Sequence, residues 1–157
     1  MKRIIVFLLC INIALLSSCN NPYTYNEVKT GSSLQEIKDA LDKEPTNETT
    51  DENGNTFVSY EECPYLGYNG TSTYCFSDDK MLFSKWEYEN EDVSKAKEVY
   101  DKILCEKQKK YGTGTPTQSE GVYMCNWNDG VNSIALTCIT SNDSTIVTLT
   151  EIINAME

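Results

Sequence analysis

Two stretches of this chain carry apolar residues at helical spacing, and each is followed by closely spaced strand-like runs. That alternation limits the fold more than any other feature. Leu34, Ile37, Ala40 and Leu41 share one helical face. Ser33 stands before them with Glu36 three residues on, the spacing of a capping box, and Lys43-Glu44-Pro45 ends the segment. Residues 46–55 read as a polar loop with an Asn53-Gly54 turn, and strands are expected near 56–63, 71–77 and 81–89. A second helix is expected over 91–110, with Val93, Ala96, Val99, Tyr100, Ile103 and Leu104 as its apolar stripe and Tyr111-Gly112 as its exit. A second polar loop, 113–120, leads to strands near 121–127, 132–140 and 144–152. The order is α-βββ-α-βββ, a repeat of about 75 residues. Short turns between neighbouring strands imply antiparallel pairing, so the expected fold is α+β: two layers, an antiparallel sheet with two helices on one face.

The N-terminus sets which residues fold. Lys2 and Arg3 precede an apolar run from Ile4 to Leu16, broken only by Asn12, and Ser17, Ser18 and Cys19 follow. A basic start, a short apolar core and small residues at the exit make an export signal. The run is shorter than the roughly 20 apolar residues that a permanent helical span requires. Leu16-Ser17-Ser18-Cys19 resembles the lipobox of bacterial lipoproteins. That resemblance implies cleavage between Ser18 and Cys19 and a diacylglycerol thioether on the Cys19 sulfur. Residues 1–18 are then the signal, 19–30 a tether, and 31–157 a single domain. Cys10 leaves with the signal. The two or three acyl chains carried by such proteins hold the membrane firmly, since each buried methylene contributes about 0.8 kcal/mol. Asn20, rather than Asp, follows the cysteine, which in a two-membrane cell points to the outer membrane.

Cleavage leaves 139 residues, with eleven cations against 24 acids and a net charge of −13. Such a surface repels nucleic acid, so none is expected as a partner. The chain has no histidine. Ser–His and Cys–His nucleophile pairs and the usual zinc sites are therefore absent, and no cofactor or metal is expected. Five cysteines remain beyond Cys19: Cys63, Cys75, Cys105, Cys125 and Cys138. No CxxC occurs among them. If Tyr68-Asn69-Gly70 turns a hairpin, Cys63 and Cys75 can face each other and form a disulfide; buried free thiols are the alternative.

Three local stretches carry a wider likeness. Gly31-Ser32-Ser33-Leu34-Gln35-Glu36-Ile37 opens a helix from a small polar cap, Leu41-Asp42-Lys43-Glu44-Pro45-Thr46 closes it, and Tyr74-Cys75-Phe76-Ser77-Asp78-Asp79-Lys80-Met81 makes a hairpin with an acidic turn. The layout resembles the fold shared by secreted beta-lactamase inhibitor proteins and the small SmpA/BamE-type outer-membrane lipoproteins. Asp42 stands where the helix exit usually has glycine. The resemblance implies a binding scaffold, with helices on one sheet face and the other face free to contact a protein.

The strands hold more aromatic residues than one covered face needs. In a tight hairpin, Tyr74, Phe76, Met81 and Phe83 should point one way and Cys75, Leu82, Trp86 and Tyr88 the other. Trp86, Tyr88, Tyr123 and Trp127 are therefore candidates for a protein-docking surface, against the simpler reading that they pack inward. Asp51, Asn53, Asn55 and Glu62 match four positions of a calcium-binding loop, but the glycine is misplaced and a solvated turn accounts for them. The expected role is a non-catalytic, lipid-anchored binding or assembly protein of the bacterial cell envelope, its partners the membrane and another envelope protein. The alternatives are a structural or stress-related envelope lipoprotein, and an envelope enzyme or small-ligand binder without a recognisable motif.

Overall fold

The computed structural model describes residues 24–25, 28–29, 32–128, 130, 132–141 and 143–153. Ser18 and Cys19 lie outside them. The elements run β1 (Thr24–Tyr25), β2 (Val28–Lys29), α1 (Leu34–Leu41), β3 (Asn47–Thr50), β4 (Thr56–Tyr65), β5 (Tyr68–Ser77), β6 (Lys80–Asn90), α2 (Val93–Tyr111), β7 (Thr115–Ser119), β8 (Val122–Asn128), β9 (Asn132–Thr140) and β10 (Thr145–Ile153). β1 and β2 pair as a small hairpin inside the expected tether, and β2 packs on α1.

β3 to β10 form one antiparallel sheet in the order β3-β4-β5-β6-β10-β9-β8-β7. The chain order is thus α-β4-α-β4, not the expected α-βββ-α-βββ. The two last strands of the halves, β6 and β10, pair at the centre and close eight strands into a single sheet. The strands missed from sequence, β3 and β7, are the edges. Every residue of both is exposed, so neither carries the apolar alternation that marks a strand. Both edges are short and polar, and β7 contains Pro116, devices that discourage further strand addition.

Local chemistry explains the helices. Ser33 caps α1: its hydroxyl accepts from the Glu36 N–H at 3.2 Å while Glu36 accepts from the Ser33 N–H at 2.8 Å. α2 is capped by the Asp92 carboxylate, which accepts from the Ser94 N–H at 2.9 Å. Ile37 of α1 and Ala96, Val99 and Ile103 of α2 are all fully buried. They pack on the same sheet face, over Val58, Tyr74, Trp86, Leu136, Val147 and Leu149.

The first hairpin turns elsewhere than expected. Leu66 and Gly67, at φ 50° and 88°, form a two-residue turn that pairs Tyr65 with Tyr68. Tyr68, Asn69 and Gly70 are strand. A bulge at Glu61 and Glu62, with Glu62 at φ 52°, then shifts the register and sets Cys63 opposite Gly70. Cys75 is opposite Phe57 and Phe83 on the other face of the sheet. The expected Cys63–Cys75 disulfide is therefore ruled out by register, and all five described cysteines are free thiols. A second bulge, between β5 and β6 at Leu82, corrects the expected facing of that hairpin: Tyr74, Phe76, Met81 and Trp86 share the helix side, and Phe83 joins Cys75 on the other.

Candidate functional site

Trp86 and Trp127 do not form a docking surface. Trp86 is fully buried under the helices, donates from Nε1 to the Cys63 carbonyl at 2.9 Å, meets the tilted Tyr65 ring at 5.5 Å and stacks on Tyr88 at 6.2 Å. Trp127 is 5% exposed and donates to the Gly112 carbonyl at 2.8 Å, tying β8 to the end of α2. Tyr88 and Tyr123 are half-buried on the same helix-covered face, Tyr123 against Tyr100 at 6.2 Å. The surplus aromatics are core. Two helices on eight strands leave gaps that only large side chains fill.

The opposite face is where the sheet meets solvent. The register lines up Thr73, Lys85, Thr150, Ala135, Asn126 and Thr115 across six strands. The neighbouring row runs Thr71, Glu87, Thr148, Thr137, Met124 and Thr117. On either side lie Ile146, Ile139 and Val122, and Phe57, Phe83 and Ile152. Ile139 and Ile152 are 47% and 44% exposed, among the largest apolar exposures of the described residues. On this face β7, β8, β9 and β10 present no charged side chain, although 24% of the chain is charged. On β6 the charges of Lys85 and Glu87 are paired at 3.1 Å, and Glu89 accepts from the Ser144 hydroxyl. Among the described residues no helix packs here.

A cluster of buried ionisable groups, which sequence reasoning missed, sits on the helix-covered side. Lys107, 3% exposed, pairs with Glu106 at 3.2 Å and lies over the Tyr65 and Tyr111 rings at 5.4 and 5.8 Å. Glu106 accepts from the Tyr65 hydroxyl at 3.0 Å, and Glu151 of β10 is buried nearby. Burial pulls the Lys107 ammonium below its ordinary pKa, and the charges of Glu106 and Glu151 oppose that shift. Burial and Glu106 push the Tyr65 phenol far above its usual value. In the sequence Lys107 opens a helix-end cation run, Lys107-Gln108-Lys109-Lys110. Its place in the stripe with Ala96, Val99, Tyr100 and Ile103, at i+4 from Ile103, was the overlooked signal.

Clefts open on the described residues away from Lys107 and Glu151. One of about 440 Å³ lies between the end of α1 and the first hairpin, lined by Ala40, Leu41, Lys43, Cys63 and Tyr65 among others. Two others, of about 590 and 280 Å³, are acidic surface hollows beside Glu89. The Asp51 loop holds its own carboxylate: one oxygen accepts from the Asn53 and Asn55 N–H groups and the other from the Asn55 amide, each within 3.0 Å. Those bonds lower the Asp51 pKa. No group of three metal-ligating side chains occurs among the described residues. Comparison with protein-family models, characterised proteins and solved structures finds no match to this chain.

Proposed function

We propose that this chain is a lipid-anchored, non-catalytic binding protein of the bacterial cell envelope, held by Cys19 and engaging a protein through the helix-free sheet face. The observation that carries the reading is that face: uncharged over four strands, and home to Ile139 and Ile152. An acidic protein that keeps four adjoining strands of one face free of acids and leaves isoleucines on them has the makings of an interface. The resemblance to inhibitor-type and SmpA/BamE-type scaffolds implies the same free face. The docking residues are Thr137, Thr148, Ile139 and Ile152, in place of the aromatics first considered. β2 packs on α1, so the described part of the tether lies on the helix-covered side.

Two experiments test this. Replacing Cys19 by Ser should release the domain from membranes or leave the chain unprocessed; a variant still processed and firmly membrane-bound would overturn the anchor. A photo-crosslinking amino acid placed at Thr137 or at Thr148 of the full chain should give a discrete protein adduct in cells. The same group at Lys95, on the exposed side of α2, should not. Adducts equally abundant from Lys95, or none from either threonine, would refute the docking face.

A further inference from the structure

We infer that the partner on the helix-free face is a second copy of this chain, the two sheets stacking face to face. The inference rests on the docking reading above and names its occupant.

Area is the first argument. The six strands that the two rows cross, β5 to β10, span about 29 Å across at about 4.8 Å per strand, and about eight residues along each give about 26 Å. That is about 750 Å² per copy and about 1,500 Å² for a pair, the size of a stable specific interface. Aligned stacking of two such sheets, about 10 Å apart, is an ordinary packing.

Charge is the second argument. Two copies, each with a net charge of −11 for the full chain, repel across most of their surfaces. The face of β7–β10 carries no charge, and on β6 Lys85 and Glu87 are paired and Glu89 is hydrogen-bonded. It is the surface on which two copies can approach without bringing acids together.

Chemistry is the third. A two-fold contact requires a patch complementary to itself. A threonine hydroxyl both donates and accepts, so rows of Thr137, Thr148, Thr150 and Thr117 satisfy a matching row. Ile139 and Ile152 supply apolar contact that needs no opposite charge. A partner chosen by charge would instead be met by fixed ions, and the large aromatic anchors that usually seize a different protein are buried under the helices here.

The full lipidated chain, in density-matched detergent with reductant to keep Cys105 from cross-linking, should sediment as a dimer at micromolar concentration. Thr137→Lys should weaken dimerisation at least about tenfold, about 1.4 kcal/mol, by placing a cation in the dry contact. Thr117→Lys, at a fully exposed edge position that folding tolerates, should weaken it in the same direction. A monomer at tens of micromolar, or a dimer indifferent to both substitutions, would overturn the inference. Crosslinks from Thr148 to a different protein alone would overturn it too, while leaving the docking face in place.

Discussion

Replacing Gly70 by alanine should unfold this protein more readily than any other single methyl addition to the first hairpin. Gly70 lies in β5 opposite Cys63, and the Trp86 indole crosses directly over it. A Cβ built there would stand 2.6 and 2.8 Å from two indole carbons and still closer to the Glu87 carbonyl oxygen. Ordinary contact begins near 3.4 Å, so the ring must retreat by about 0.8 Å in a packed core, which costs about 1–3 kcal/mol. The same movement pulls Nε1 off the buried Cys63 carbonyl, about 1 kcal/mol more. Alanine restricts the unfolded chain and returns about 0.5 kcal/mol. The net loss is about 1.5–3.5 kcal/mol, or a fall of about 6–14 °C in Tm at about 4 °C per kcal/mol. Denaturant unfolding followed by tryptophan fluorescence reads it directly, since Trp86 is itself the displaced group. Combining Gly70→Ala with Trp86→Phe should cost less than the sum of the single changes, because the smaller ring relieves the clash. A Gly70→Ala variant within about 0.5 kcal/mol of the parent, or strict additivity with Trp86→Phe, would refute the reasoning.

Other consequences follow from the same packing. Thiol titration of the folded protein should find Cys105 fast and Cys63, Cys75, Cys125 and Cys138 slow until denaturant is added; burial also raises the pKa of Cys75, Cys125 and Cys138, so two or more fast thiols would contradict their placement. Lys107→Met should cost less stability than Lys107→Ala by about 2 kcal/mol or more, because methionine keeps the packing of the stem while both changes remove the cation beside Glu106 and Glu151. Equal losses would show that the charge, not the stem, matters. Alkaline pH should destabilise the fold. Tyr65, Tyr74 and Tyr100 have folded pKa values above the unfolded 10.0, Tyr100 at about 12, each mainly because of burial. Above pH 10 the unfolded chain loses these protons while the folded chain keeps them, so stability is intact below 10 and falls as pH climbs toward 12. Tyrosinate absorbance should therefore rise with unfolding; early, non-cooperative ionisation of all ten tyrosines would count against their burial.

The capping box at Ser33, the apolar stripes of α1 and α2, the acidic turn at Asp78-Asp79 and the six inner strands were readable in the sequence because each is a local pattern: a side chain within reach of its own backbone, or a period of two or 3.6. The edge strands β3 and β7 were not, because nothing packs on them and pairing alone defines them. The Leu66-Gly67 turn hid behind Tyr68-Asn69-Gly70, since leucine rarely takes a left-handed conformation.

What the sequence determined by itself is the local inventory: helices, inner strands, an acidic chain without histidine, and the apolar run with Leu16-Ser17-Ser18-Cys19 on which the anchor reading rests. What only the tertiary structure decided is facing. One displaced turn and one bulge set Cys63 and Cys75 on opposite sides of the sheet. The central β6–β10 pairing then joined the two halves into one sheet, with both tryptophans on the helix-covered face and Thr71, Thr73, Thr137, Thr148 and Thr150 on the open one. The physical reason is that side chains alternate along a strand, so a shift of a single residue exchanges core for surface, and such shifts are made by long-range pairing that no local stretch encodes.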